Sequence, residues 1–345
     1  MPAGNAVTHN GRGSKFGGGC LISLGIEGTA YKLGVGIVTD KGEILANVSR
    51  VFSPKEGGLK PREAAQYYAE NISSLIRESL EKANLSARDI DIVSFSQGPG
   101  MGPCLRVVAT AARSLSLGLG IPIVGVNHGV AHIEIGRLIT KLEDPLVLFV
   151  SGGNTQVITF QDRRYRVIGE TMDMALGNCI DRLGRELGLE FPWALSVQEL
   201  AKRGEKFIEL PYIVKGMELS FSGLLTSALE KIGKVRPEDL CYSFLETSFA
   251  MLTEVAERGL TLTGKEELLL CGGVGALDRL KEMLKEMVSE HGAKLGVTPP
   301  EYSVDNGAMI AWTGILYYKS GTKHKIEETV VKQRFRIEEV EVNWR

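Results

Sequence analysis

Two stretches of this chain are variations on one plan, and that repetition limits what it can fold into. Residues 20–30 (CLISLGIEGTA) lead into 34–38 (GVGIV), and residues 146–155 (LVLFVSGGNT) lead into 156–160 (QVITF). Each pair reads as a buried strand, a small-residue turn carrying a threonine, and a second strand. In both, glycines let backbone N–H groups crowd together, which suits an anionic oxygen. The chain has 345 residues, enough for two domains, each built on one copy of the hairpin.

Helical and strand patterns follow each hairpin. Residues 61–83 read as a helix with Pro61 at its start, and 90–95 as a strand ended by the turn 97–103 (QGPGMGP). A small-residue helix over 105–119 and a strand over 121–126 come next. In the second half, 174–187 and 240–260 read as helices, 268–274 as a strand entering a glycine turn, and the chain from Asp278 as a helix. Strands alternating with helices predict an α/β protein with parallel or mixed sheets. The expected division is a flexible extension over 1–19, a first domain over 20–145 completed by about 312–345, and a second over 146–311. The basic tail 332–337 (KQRFRI) is expected to finish on the first domain.

The bulk numbers narrow the function. A net charge of −2 builds no general nucleic-acid affinity into the surface, so RNA contact requires a local patch or a partner. Five cysteines without C-x-x-C spacing argue against a disulfide framework or a cysteine–zinc site and suit a reducing compartment. No apolar run approaches the ~20 residues of a membrane helix. The first 19 residues lack the apolar region of a signal peptide. A cytoplasmic protein is expected.

His128 and His132 stand four apart in 126–137 (VNHGVAHIEIGR). On a helix they share one face and could grip one metal ion, or be two exposed histidines on a polar face. Asp305, opening an apolar helical stretch, is an N-cap or a third, oxygen-donor ligand. Two histidines and a carboxylate make an open site for iron or zinc. Gly129 follows His128, so the H-E-x-x-H pattern of zinc proteases is absent, and with it their general base. Residues 151–155 (SGGNT) read as a phosphate cradle or a plain hairpin. Asp173, in 170–181 (ETMDMALGNCID), faces a phosphate or its metal at a helix start, or is an N-cap. Residues 271–275 (CGGVG) lack both the P-loop and the full G-x-G-x-x-G, which disfavours a P-loop ATPase and a Rossmann dehydrogenase.

Taken together, 25–30 (GIEGTA), 96–100 (SQGPG), 105–110 (LRVVAT), 127–132 (NHGVAH), 150–156 (VSGGNTQ), 214–217 (VKGM), 219–225 (LSFSGLL) and 305–311 (DNGAMIA) resemble one family in this order. It is the tRNA N6-threonylcarbamoyltransferase family, formerly labelled O-sialoglycoprotein endopeptidase, in the form of the archaeal and eukaryotic KEOPS catalytic subunit. The resemblance spans about 20–344. It implies an actin/Hsp70/sugar-kinase-like (ASKHA) fold of two duplicated RNase H-like domains with a nucleotide between them. It implies that His128, His132 and Asp305 bind one divalent metal, Fe2+ ahead of Zn2+. Nucleotide or substrate contacts would fall on Phe149, Val150, Ser151, Gly152, Gly153 and Asp181. The implied reaction moves the threonylcarbamoyl group of threonylcarbamoyl-AMP to N6 of the adenosine beside the anticodon, in tRNAs reading codons that begin with A. The adenine nucleotide would be threonylcarbamoyl-AMP or ATP. No protein nucleophile is needed. Implied partners are tRNA and the other KEOPS subunits: a small atypical kinase, a dimerising subunit and an accessory subunit.

Some positions depart from the family pattern. Trp193 and Ala194 follow Pro192 where two glycines are usual, Gln198 replaces a glutamate expected to hold the ribose, and Leu277 replaces an asparagine that touches the nucleotide. Leu245 stands for a glutamine, and Tyr31, Tyr67 and Tyr68 stand for histidines. Added bulk and lost hydrogen bonding at Trp193, Ala194, Gln198 and Leu277 predict weakened or altered adenine-nucleotide binding. An active transferase is the leading expectation. A non-catalytic or altered-specificity paralogue that keeps fold, metal and partner surface is the alternative, followed by a carbamoyltransferase with a small-molecule acceptor.

Overall fold

The computed structural model describes residues 19–53 and 60–345. All but Gly19 of the extension expected over 1–19 lies outside the described residues. Both hairpins grow into three-stranded meanders. In the first half, β1 (Ile22–Glu27), β2 (Lys32–Thr39) and β3 (Ile44–Val51) are followed by α1 (Pro61–Lys82), β4 (Ile92–Gly98), α2 (Gly102–Leu119), β5 (Ile123–Asn127) and α3 (His128–Thr140). The second half begins with β6 (Leu146–Val150), β7 (Thr155–Gln161) and β8 (Arg164–Glu170). Then come α4 (Leu176–Glu186), α5 (Trp193–Ala201), the short ribbon β9 (Val214–Lys215) and β10 (Glu218–Leu219), α6 (Ser222–Glu230) and α7 (Pro237–Thr263). The half closes with β11 (Glu267–Cys271), α8 (Asp278–Glu290), β12 (Lys294–Val297), α9 (Pro300–Ser303) and α10 (Gly307–Lys319).

The two five-stranded sheets share one topology. The orders are β3-β2-β1-β4-β5 and β8-β7-β6-β11-β12, with the meander antiparallel and the last two strands parallel to the first. The central strands β1, β4 and β6 and the terminal β5 are buried throughout, as expected for sheets covered on both faces. The third strands β3 and β8 lie at the edges and alternate irregularly in burial, which hides them from a search for apolar runs.

The last helix of each half packs across the molecule. Helix α10 lies on β1, β2 and β4, while α3 lies against β11, β12 and α10. Glycines permit the first of these contacts. A Cβ on Gly25 would stand 2.2 Å from the Ala311 nitrogen, and one on Gly36 the same distance from the Ala308 nitrogen. Helix and sheet therefore meet backbone to backbone from the first turn of α10, which fixes where Asp305 emerges. Three apolar cores result: α1 and α2 over the first sheet, α4–α8 over the second, and a central one around α3 and α10.

Beyond α10 the tail straps the halves together. Lys332 N–H donates to Gln97 O at 2.8 Å and Asn127 Nδ2 to Phe335 O at 3.0 Å. Past Ile337 the strap reaches the second half, where Arg164 Nη1 donates to Glu338 O and Val342 N–H to Arg163 O. Among the described residues no helix is long and apolar enough to cross a membrane.

Candidate metal centre

Two asparagine caps set this site. Asn127 caps α3 by accepting from Val130 N–H at 3.1 Å, which makes His128 the first helical residue and puts His132 one turn above it. Asn306, not Asp305, caps α10, accepting from Met309 N–H at 2.9 Å. The N-cap reading of Asp305 is thus corrected: its neighbour satisfies the helix end, and its carboxylate is free to turn away. It turns towards the histidines, which are 9% and 2% exposed rather than lying on a solvent face.

His128 Nε2, His132 Nε2 and Asp305 Oδ1 form a triangle with edges of 3.2, 3.3 and 3.4 Å. A point about 2 Å from all three corners exists, matching the ~2.0–2.2 Å of zinc to imidazole or carboxylate. The donor chemistry fits as well. The other ring nitrogen of His128, Nδ1, lies 3.1 Å from Glu27 Oε2. That contact assigns its proton to Nδ1 and aims the Nε2 lone pair into the triangle. Lone pairs converging at this range repel unless a cation or a shared proton lies between them. His132 Nδ1 is buried without a partner among the described residues.

Electrostatics follow the geometry. Burial alone would lower the pKa of His128, yet the Glu27 and Asp305 carboxylates push it up to about 10. His132 is held down, by burial first and by the neighbouring His128. Burial would raise Asp305, but His128 and His132 hold it well below the carboxylate range. The electrostatics of the pocket therefore favour a positive charge at its centre, whether proton or metal ion.

Glu27 is the residue missed by reading the sequence. It ends β1 inside the first glycine turn and is fully buried. One oxygen accepts from Thr29 N–H at 2.8 Å and the other meets His128. A buried acid beside two glycines was the available signal.

The remaining predicted residues sit on the second half. Phe149 and Val150 have buried side chains, and the Phe149 ring packs on His132 with centroids 5.2 Å apart. Ser151 N–H donates to Asn154 O at 2.8 Å, closing the turn, while Gly152 and Gly153 are exposed. Asp181 lies one turn into α4, and burial pushes its carboxyl up to about 6 against the pull of Arg185 and the Ala194 N–H. Its charge reaches Tyr31 across the cleft: burial, then Asp305 and Asp181, push that phenol up to about 12.

Asp173 does not cap α4, and its carboxylate is committed to another segment. It accepts from Ser220 Oγ at 2.6 Å, Ser222 Oγ at 2.5 Å and Phe221 N–H at 3.0 Å, tying the β8–α4 loop to the start of α6. Thr155 Oγ1 instead serves the start of α4, accepting from Leu176 N–H at 2.9 Å. Of the departing positions, Gln198 Oε1 accepts from Asp278 N–H at 2.6 Å and Leu277 is buried in the core. Trp193 donates to Leu189 O at 3.2 Å and packs edge-on against Phe191. The Trp193 and Gln198 side chains are spent on joining α5 to its neighbours, and that of Leu277 on the core.

The fold is the actin/Hsp70/sugar-kinase type with two duplicated RNase H-like units. It is similar to the crystal structure of T. kodakarensis HypF, with a TM-score of 0.64 at 14% identity over 90% of this chain and 49% of that one. At that identity the likeness concerns the fold alone. The chain is 55% identical over 94% of its length to the whole of the tRNA N6-adenosine threonylcarbamoyltransferase of Thermococcus kodakarensis. It is 53% identical, again over 94%, to a probable bifunctional tRNA threonylcarbamoyladenosine biosynthesis protein of Methanothermobacter thermautotrophicus, covering 61% of that protein. The family profile for tRNA N6-adenosine threonylcarbamoyltransferase matches residues 43–312. With that match and relatives this similar along nearly the whole chain, the protein belongs to the tRNA N6-adenosine threonylcarbamoyltransferase family.

Proposed function

We propose that this chain transfers the threonylcarbamoyl group from threonylcarbamoyl-AMP to N6 of the adenosine beside the anticodon, in tRNAs reading codons that begin with A. It does so as the catalytic subunit of a KEOPS-type cytoplasmic complex with a small atypical kinase, a dimerising subunit and an accessory subunit. The observation that carries this reading is the His128–His132–Asp305 triangle at the meeting of the two halves of a family member. The expected division, 20–145 completed by about 312–345 and 146–311, would cut α10 (Gly307–Lys319); we therefore also propose 20–145 joined by 307–345, and 146–306.

Transfer forms a bond from N6 to the carbamoyl carbon and breaks that carbon's bond to the phosphate oxygen. AMP leaves with the electron pair, and the N6 proton passes to the leaving phosphate or a bound water. His128, His132 and Asp305 would hold the metal, with Glu27 keeping the His128 ring in place. When bound, the metal supplies Lewis-acid polarisation of a carbonyl or phosphoryl oxygen. The exposed backbone at Gly152 and Gly153 would take the phosphate side of the donor. Asp181 stands where a ribose or the leaving group would lie.

The test is a transfer assay with metal content quantified, tRNA and threonylcarbamoyl-AMP supplied, and partner subunits present. Product from the wild type and none from His132→Ala is the expected result. A metal-loaded, fully assembled complex that forms no product overturns the proposal. One observation favours the second reading, a paralogue with weakened nucleotide binding: Gln198 and Leu277 are committed inside the second half. Calorimetry giving micromolar adenine-nucleotide affinity would remove it.

A further inference from the structure

A chamber of about 370 Å3 opens beside His128. Its size falls in the ~300–1,000 Å3 range of small-ligand sites. The walls include Gln156 of β7, Val167 and Glu170 of β8, and the strap residues Arg334 and Arg336. The turn 151–154 borders it through Asn154, and neither Gly152, Gly153 nor Asp181 is among its walls. Helix α4 packs against that turn through Gly177, whose Cβ would stand 2.5 Å from Ser151 O, whereas Asn154 and Gln156 face the chamber. Of the donor's expected contacts only Phe149 lines the chamber, so it offers the centre a second side.

The chemistry of the second side differs from a phosphate cradle. Gln156 Nε2 lies 3.3 Å from Glu170 Oε2, so an amide and a carboxylate are set side by side on the wall. An amide of this kind reads the N6 and N7 edge of adenine. At the rim, Phe335 and Ile337 are buried and anchor the strap, which leaves Lys332, Arg334 and Arg336 exposed between and beside them. Lys332 sits 4.3 Å over the Phe335 ring. Arg336 is 3.6 Å from Glu338, and Arg334 has no acidic partner among the described residues. Exposed cations beside this chamber, on a chain of net charge −2, form a local footprint for phosphates.

We propose that this chamber is the acceptor site. The purine nucleotide to be modified turns out of its RNA loop into the space beside His128, Gln156 and Glu170 meet its base edge, and Arg334 and Arg336 hold the flanking phosphates. Turning a nucleotide out of its stack is how enzymes reach a base atom in RNA or DNA. The inference rests on the transfer reading above and adds the path by which the acceptor arrives.

The experiment uses the assembled complex and a tRNA transcript carrying photoreactive 8-azidoadenosine at the acceptor position. The label is expected on 154–170 or 333–338. Val167→Trp, which fills the chamber, should cut transfer more than tenfold while bound metal and adenine-nucleotide affinity stay unchanged. The exposed double variant Arg334→Glu/Arg336→Glu should weaken tRNA binding about tenfold or more and flatten its salt dependence by about two in the log–log slope. Labelling of α5 instead, or normal transfer by Val167→Trp, overturns the inference and leaves the transfer reading standing. A metal-loaded wild-type complex that neither transfers nor crosslinks overturns both.

Discussion

The two glycine turns of the duplicated hairpins occupy equivalent places and do different work. The first, at 27–30, is packed shut: a Cβ on Gly28 would meet Val108 Cγ2 at 2.5 Å and Tyr68 Cε2 at 2.8 Å. Tyr68 is fully buried and its hydroxyl donates to Ala30 O at 3.0 Å. What the first turn exports is one carboxylate, Glu27, aimed at His128. The second, at 151–154, is open, and a Cβ on Gly153 would meet nothing within 4 Å. What it offers is bare backbone. Duplication thus supplied two similar frames. Side-chain packing made one a brace for the candidate metal ligands and left the other a candidate cradle for ligand oxygens.

The largest effect should come from His132→Ala, which removes one corner of the triangle. Bound iron or zinc, measured by elemental analysis, should vanish together with transfer. A chelator should lower the wild-type melting temperature and leave the variant's unchanged, since a ligand at a hundred times its Kd adds about 2.7 kcal/mol. Glu27→Gln comes next. It keeps shape but loses the charge behind His128, and metal affinity by competition with a chelating dye should fall about 10–100-fold. Equal affinities would break the view of the first turn as a brace.

Alanine at the paired glycines sharpens the comparison. Gly28→Ala must displace Val108 or Tyr68 and should cost about 1–3 kcal/mol in denaturant unfolding. Gly153→Ala should leave stability unchanged yet weaken nucleotide binding, because only an approaching ligand would feel the new methyl. If both variants bind nucleotide normally, the second turn is a plain hairpin.

The smallest effect is a pH dependence at Asp181. Its carboxyl is raised from the ordinary 3.8 to about 6 by burial, so the folded state holds the proton more tightly than the unfolded chain. Stability from this group is present below about pH 4 and is lost as pH rises through 6. Asp181→Asn should therefore melt with the wild type at pH 4 and above it at pH 7.5. The gap should be roughly 2–4 °C, matching ~1 kcal/mol after solvent screening at a part-exposed group. A gap that shrinks with pH would contradict the burial argument.

How much was legible beforehand depends on the range of the interaction. The histidine pair is four residues apart on one helix, so its shared face follows from helical geometry. The buried strands announced themselves as apolar runs. Edge strands β3 and β8 did not, because their burial alternates irregularly. Asp305 was a candidate with two readings, and only the capping geometry of Asn306 removes one of them. Asp173 invited a phosphate reading, and contacts with Ser220 and Ser222, nearly fifty residues away, assign it to a loop clasp instead.

The sequence by itself determined the duplicated α/β plan, the paired imidazoles and the family, since each rests on local periodicity or on short motifs in a set order. Tertiary structure alone decided three things. It exchanged α3 and α10 between the halves, bringing Asp305 to within 3.3 Å of His132. It turned Glu27 onto His128, and it laid the basic strap beside the same centre. The reason is the packing of glycine-lined backbones, which sets such long-range meetings to a fraction of an ångström and leaves no periodic trace along the chain.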